Sequence, residues 1–158
     1  MTTFIYRMAQ ILLILLIVAT VVHAFYQSSL PVKESVAQSD KIGEIIEEII
    51  PPDTKPGEYV QKNLRKLAHF TEFFFLGLWS SLYTVFYTKR KWSCASLIPF
   101  GMTVALLDET VQIFSKRGPS VTDIWIDIFG YVCAAVPIII FCFVFLLIRR
   151  HRSGRISF

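Results

Sequence analysis

Residues 8–26 read MAQILLILLIVATVVHAFY, an almost unbroken apolar run. A helix of about 20 such residues, rising about 1.5 Å each, crosses the roughly 30 Å hydrocarbon layer of a bilayer. The run has no period-2 alternation, and lipid cannot satisfy bare backbone polar groups, so it reads as a transmembrane helix and not as a barrel strand. Three further stretches fit the same description: about Leu67–Tyr87, Trp92–Phe114 and Ile124–Ile148. Composition agrees. Of 158 residues, 54% are hydrophobic and 18% charged, against about 25% charged in a soluble domain; the mean hydropathy is +0.54. A soluble chain of this length has too little core to hide so much apolar surface, which excludes both an ordinary cytosolic globule and disorder. The expectation is one all-α membrane domain over residues 1–158, a four-transmembrane-helix bundle. Arg7, the first apolar run and Val22-His23-Ala24 also fit a secretory signal with a small-residue cleavage site, but the run is long for one.

Lys and Arg near span ends set orientation. An even number of spans puts both termini on one side, together with Arg7, the short Lys89-Arg90-Lys91 loop and the tail at residues 149–158 with Arg149, Arg150, Arg152 and Arg155. The opposite side holds as many basic residues, but six of the eight lie between the first two spans with seven acids, and long loops weigh less. Both termini are therefore expected in the cytoplasm. The pI near 9.1 then reflects anchoring at the cytoplasmic membrane surface, and no soluble module remains to bind nucleic acid. Cys94, Cys133 and Cys142 fall inside spans and serve as small apolar residues; no disulfide or metal-type cysteine spacing is present.

The long loop, about residues 27–63, carries Ile42, Ile45, Ile46, Ile49 and Ile50 at helical spacing, with Glu44, Glu47 and Glu48 on the other face. Ser39 or Asp40 is expected to cap this short amphipathic helix and Pro51-Pro52 to stop it. A membrane-surface helix usually presents Lys or Arg to the headgroups. This one presents acids, so it is expected to lie over the outer mouth of the bundle, with simple interfacial tethering as the alternative.

Ionisable residues inside spans are costly and usually face a bundle interior. Arg65, His69 and Glu72 share one face at the start of the second span, and Glu109 and Gln112 share one at the end of the third, preceded by Asp108. A connection containing Lys116 and Arg117 leads to Asp123 and Asp127 at the start of the fourth. All three segments lie on one side of the membrane, which puts Glu72, Glu109 and Asp127 about 5–8 Å below that surface. Plainer readings stand beside this one. Asp123 suits a helix N-cap, Arg65 and Lys66 suit snorkelling anchors, Gly118-Pro119 a turn, and Gly77 and Gly130 close helix packing. Glu72 and Glu109 resist such accounts, because an embedded acid needs a cation, a proton or a metal.

Three blocks carry a family resemblance: Phe25-Tyr26-Gln27-Ser28-Ser29; Arg65-Lys66-Leu67-Ala68-His69-Phe70-Thr71-Glu72-Phe73 with Leu76-Gly77; and Leu107-Asp108-Glu109-Thr110-Val111-Gln112 followed by Arg117-Gly118-Pro119-Ser120-Val121-Thr122-Asp123, Asp127 and Gly130. Over nearly the whole chain these resemble the VanZ-like membrane proteins. Pro119 replaces a small residue often found in that pattern. The resemblance implies a small multi-span protein of the bacterial cytoplasmic membrane and cell envelope. It also implies a link to teicoplanin-type glycopeptide antibiotic resistance, the association of the family's namesake.

Three functions follow as expectations. In the first, Arg65, Lys66, His69, Glu72, Asp108, Glu109, Gln112, Arg117, Asp123 and Asp127 bind a polar headgroup, carried by a lipid-linked envelope precursor or a lipoglycopeptide; Arg65, Lys66, Lys116 and Arg117 would act as charge-assisted donors. In the second, an intramembrane hydrolase or transferase uses His69, Glu72, Glu109 and Asp127 as catalytic groups. Here His69 with Glu72, Asp108, Glu109 and Asp123 or Asp127 supplies donors for a divalent metal, although the His-x-x-Glu spacing lacks the histidine pair of a zinc-protease helix. In the third, the polar cluster only holds helices together in a structural or regulatory subunit.

Overall fold

The computed structural model describes residues 2–51, 53–88, 94–115, 118 and 120–153. Five helices follow in order: α1 (Thr2–Ser29), α2 (Val32–Glu47), α3 (Lys55–Tyr87), α4 (Leu97–Phe114) and α5 (Val121–Ser153). Among the described residues there is no strand. Among the described residues, three helices are long and apolar enough to cross a membrane: Thr3–Ser29, Leu97–Phe114 and Val121–Phe145. Their outer faces carry large exposed apolar side chains such as Leu12, Leu106 and Phe141, and they mark a membrane protein. The third apolar stretch was expected to begin at Trp92; α4 begins at Leu97, and residues 89–93, with the basic Lys89–Lys91 loop, lie outside the described residues. The basic tail was expected after Ile148, yet α5 continues to Ser153.

The expected second span lies inside a longer helix. α3 runs for 33 residues and starts twelve residues before Leu67. Thr54 caps it, with its hydroxyl accepting from the Gly57 N–H at 3.2 Å, and proline near the first helical position is pre-set for helix entry. α3 falls outside the apolar set because polar side chains line one of its faces. Ser80, Ser81, Thr84 and His69 are all buried against the other helices.

The loop helix also differs from expectation. α2 begins at Val32, directly after Pro31, whose fixed φ suits a helix entry, and Glu34 occupies the first turn, where an acid favours the helix dipole. Ser39 and Asp40 therefore sit inside the helix. The Ser39 hydroxyl donates back to the Ser35 carbonyl at 3.0 Å instead of capping. A hydrogen bond from Gln61 to Glu47 ties the end of α2 to α3.

The core is built on α3 and α5. Phe73, Leu76, Leu97, Val104, Ala105, Tyr131 and Ala135 form its buried centre. A Cβ added to Gly77 would lie 2.3 Å from the Tyr131 carbonyl oxygen, and one added to Gly130 would lie 2.4 Å from that of Phe70. The two backbones are thus in direct contact, as small residues permit between membrane helices. The contacts Arg65–Asp123, His69–Asp127 and Ser80–Tyr131 follow the same order along both helices, so α3 and α5 run parallel. Tyr131 is 1% exposed. Its hydroxyl lies 2.9 Å from the Ser80 hydroxyl, and its ring fills the space over Gly101 of α4. α1 runs antiparallel to α3: the Tyr6 hydroxyl donates to the Phe86 carbonyl at 2.8 Å near one end, and His23 meets Glu72 near the other.

Candidate functional site

Four helix segments meet at one end of the bundle: the last turn of α1, the first half of α3, the last turns of α4 and the first turns of α5. Each contributes a buried polar side chain. Ser28, Asp108, Gln112 and Asp127 are 0–1% exposed, and Glu109 and His69 are buried beside them.

His69 lies at the centre. Its Nδ1 is 3.4 Å from Asp127 Oδ1 and 3.8 Å from Asp108 Oδ2. Asp108 is held from two sides. The Ser28 hydroxyl donates to its Oδ2 at 2.7 Å, and Gln112 Nε2 approaches the same oxygen at 3.4 Å. Asp127 is held differently: neither of its carboxylate oxygens accepts a hydrogen bond, and His69 Nδ1 donates none. One ligand atom from each of His69, Asp108 and Asp127 lies within 4.8 Å of the others, the arrangement among the described residues that suits a metal ion.

Gln112 links this centre to the surface. Its Oε1 accepts from Arg65 Nη2 at 2.7 Å, while its Nε2 donates to Glu109 Oε2 at 3.1 Å. Arg65 Nη2 also lies 3.8 Å from Asp123 Oδ2, with 43% of the arginine side chain exposed. At that separation and exposure the ion pair contributes little to stability. The other oxygen of Glu109 accepts the backbone N–H of Ser120. Ser120 in turn is the capping residue of α5, its hydroxyl 3.4 Å from the Asp123 N–H.

This geometry corrects the sequence reading in three places. Glu109 was expected to stand with Glu72 and Asp127 as one acidic layer; it anchors the α4–α5 connection, and its neighbour Asp108 takes the inward position. Adjacent helical residues differ by about 100° around the axis, so only one of this pair can face His69. Glu72 pairs with α1, its Oε1 3.1 Å from His23 Nδ1. Asp123 lies in the first turn of α5 and is not its cap. Lys66 is exposed. Lys116 and Arg117 lie outside the described residues. Sequence reasoning assigned no role to Ser28 or His23. The signal for His23 was present, a histidine in an otherwise apolar span, and Ser28 stood in the Phe25–Ser29 block.

Beside the cluster runs a groove of about 780 Å³ between α1 and α3. Leu16, Ala19, Leu67, Phe75 and Trp79 line its apolar length, and His23, Gln27 and Glu72 line its polar end, which Ser39, Ile42 and Ile46 of α2 cover. Gln27, Ser39, Ile42, Ala68 and Glu72 continue into a smaller cavity of about 60 Å³ that reaches Arg65 and His69. α2 thus covers a mouth that leads from the groove to the buried cluster.

The architecture defines a helical membrane protein with a buried acid–histidine cluster where four helices converge. The chain matches the VanZ/LLP1 family over residues 11–148 and belongs to that family. No curated protein and no solved structure matches it.

Proposed function

We propose that this chain is a four-span protein of the bacterial cytoplasmic membrane that holds an amphiphile, with its tail in the α1–α3 groove and its polar head at the mouth under α2. α3 is the fourth crossing. Its 33 residues reach about 50 Å, it runs beside α5, and its polar residues face the bundle, so average hydropathy understates how apolar its outer face is. The short basic loop and the arginine-rich tail support a topology with both termini in the cytoplasm. The mouth then faces outward, where α2 becomes an extracytoplasmic cover.

The observation that carries this reading is the continuity of the groove. An apolar channel passes through Gln27 and Glu72 into a polar mouth bounded by Arg65 and His69, a profile that matches a molecule apolar along one end and polar at the other. Arg65 offers a charge-assisted donor to a phosphate or carboxylate head. A lipid-linked envelope precursor has this form, and a teicoplanin-type lipoglycopeptide shares it. The test is binding of a fluorescent polyprenyl-phosphate lipid to the purified protein in detergent. Ala19→Trp, which fills the groove, is expected to abolish binding, and Arg65→Gln to weaken it about tenfold or more. Equal binding by both variants and the unaltered chain overturns the reading.

One observation favours a second reading, hydrolysis or group transfer at the bound head: His69 lines the mouth with Asp127 3.4 Å behind it, an acid–base pair within reach of a headgroup. Release of phosphate or headgroup from the bound lipid, lost in His69→Gln, is the result it requires.

A further inference from the structure

We propose that His69, Asp108 and Asp127 bind one divalent first-row metal ion, held between α3, α4 and α5. This goes beyond the amphiphile reading, which can fail without affecting it.

The distances suit ligands of one shared ion. His69 Nδ1 stands 3.4 Å from Asp127 Oδ1 and 3.8 Å from Asp108 Oδ2. Two donor atoms about 2.1 Å from a common ion, at a tetrahedral angle, lie about 3.4 Å apart. The three donor atoms lie within 4.8 Å of one another, so reaching that tetrahedral spacing takes a side-chain closure of at most about 1.4 Å.

An independent observation points into the same space. Asp127 is fully buried, yet neither of its oxygens accepts a hydrogen bond, and the facing His69 Nδ1 donates none. Buried polar groups are almost always partnered, and a buried carboxylate is costly unless it is paired or coordinates a metal. An ion between these atoms satisfies the Asp127 carboxylate and the imidazole together. The next shell is also in place: the Ser28 hydroxyl donates to Asp108 Oδ2 at 2.7 Å, the type of contact that orients a ligating carboxylate.

The donor set selects the ion. One imidazole with two carboxylates suits Zn²⁺ or Mn²⁺, whereas Ca²⁺ and Mg²⁺ prefer an all-oxygen shell.

The test uses the full chain, purified in detergent without a polyhistidine tag and stripped with a chelator. It is titrated with Zn²⁺ by calorimetry and with Mn²⁺ by electron paramagnetic resonance. The expected result is saturable binding of one ion per chain for at least one metal, with a rise in unfolding temperature. Asp127→Asn is expected to weaken binding about 100-fold or more and Ser28→Ala about tenfold, while Glu58→Gln, in the exposed first turn of α3, leaves it unchanged. If Asp127→Asn does not purify, His69→Gln carries the same test, and Co²⁺ spectra of the unaltered chain report imidazole ligation directly. Absence of one-to-one binding by either metal, or an Asp127→Asn variant that binds as the unaltered chain does, overturns the proposal. A protein that binds neither metal but retains the lipid separates this failure from that of the groove reading.

Discussion

Gly130 of α5 lies so close to Phe70 of α3 that a single added carbon would sit 2.4 Å from the Phe70 carbonyl oxygen. Phe70 follows His69, and Gly130 comes three residues after Asp127, so this contact fixes the distance across which the histidine and the carboxylate face each other. Close approach of the two backbones sets the spacing of the site.

Gly130→Ala is expected to be severe for so small a change. The obstructing atom is backbone and cannot rotate away, so α3 and α5 must separate. The cost is about 1–3 kcal/mol or more, read as a lower unfolding temperature in detergent. Gly43→Ala is the contrast. Nothing lies within 4 Å of its added carbon and it sits inside α2, so it is expected to stabilise by about 0.5–1 kcal/mol.

Ser28→Ala removes the 2.7 Å donor to the buried Asp108 carboxylate. Removing one partner of a buried hydrogen bond costs about 1–3 kcal/mol. The loss should appear in thermal unfolding, and Ser28→Thr should recover part of it by restoring the hydroxyl.

His23 and Glu72 call for a double-mutant cycle. Their atoms lie 3.1 Å apart, with the Glu72 side chain 16% exposed. His23→Leu leaves an embedded carboxylate without this partner and is expected to reduce the amount of folded protein in the membrane. Adding Glu72→Gln should restore much of it, because the uncompensated group is then neutral. A double variant no better than His23→Leu alone counts against the pairing.

Tyr131→Phe and Ser80→Ala remove opposite ends of one buried 2.9 Å hydrogen bond. Each single change should cost about 1 kcal/mol, and the double change less than the sum of the two. Neither residue lines the groove or its mouth, so lipid binding per folded molecule should be unchanged.

The apolar helices were legible because their signal is long and redundant: α1, α4 and α5 follow from hydropathy alone. The placement of chemistry at one end also followed, since the spans alternate in direction and Arg65, His69, Asp108 and Asp127 all fall near the same ends. Which acid faces inward did not follow. Asp108 and Glu109 are neighbours on one helix, and which of them faces inward depends on the rotation of α4 about its axis; Tyr131 packs over Gly101 on the inward face. The early start of α2 was hidden because its apolar repeat begins only at Ile42, while Pro31 alone marks the entry. The His23–Glu72 pair depends on how α1 lies against α3, which no local pattern encodes.

The covering of the groove by α1 and α2 has a mechanical consequence. Its α3 wall is locked to α5 through two glycines and cannot yield. α1 is joined to the other helices through side chains, at Tyr6, His23 and Ser28, and α2 meets the mouth through Ser35, Ser39, Ile42 and Ile46, with the Gln61–Glu47 hydrogen bond at its end. The groove therefore has one wall fixed by backbone contact and two held by side chains, so widening it is expected to displace α1 or α2 before it parts the pair that carries His69 and Asp127.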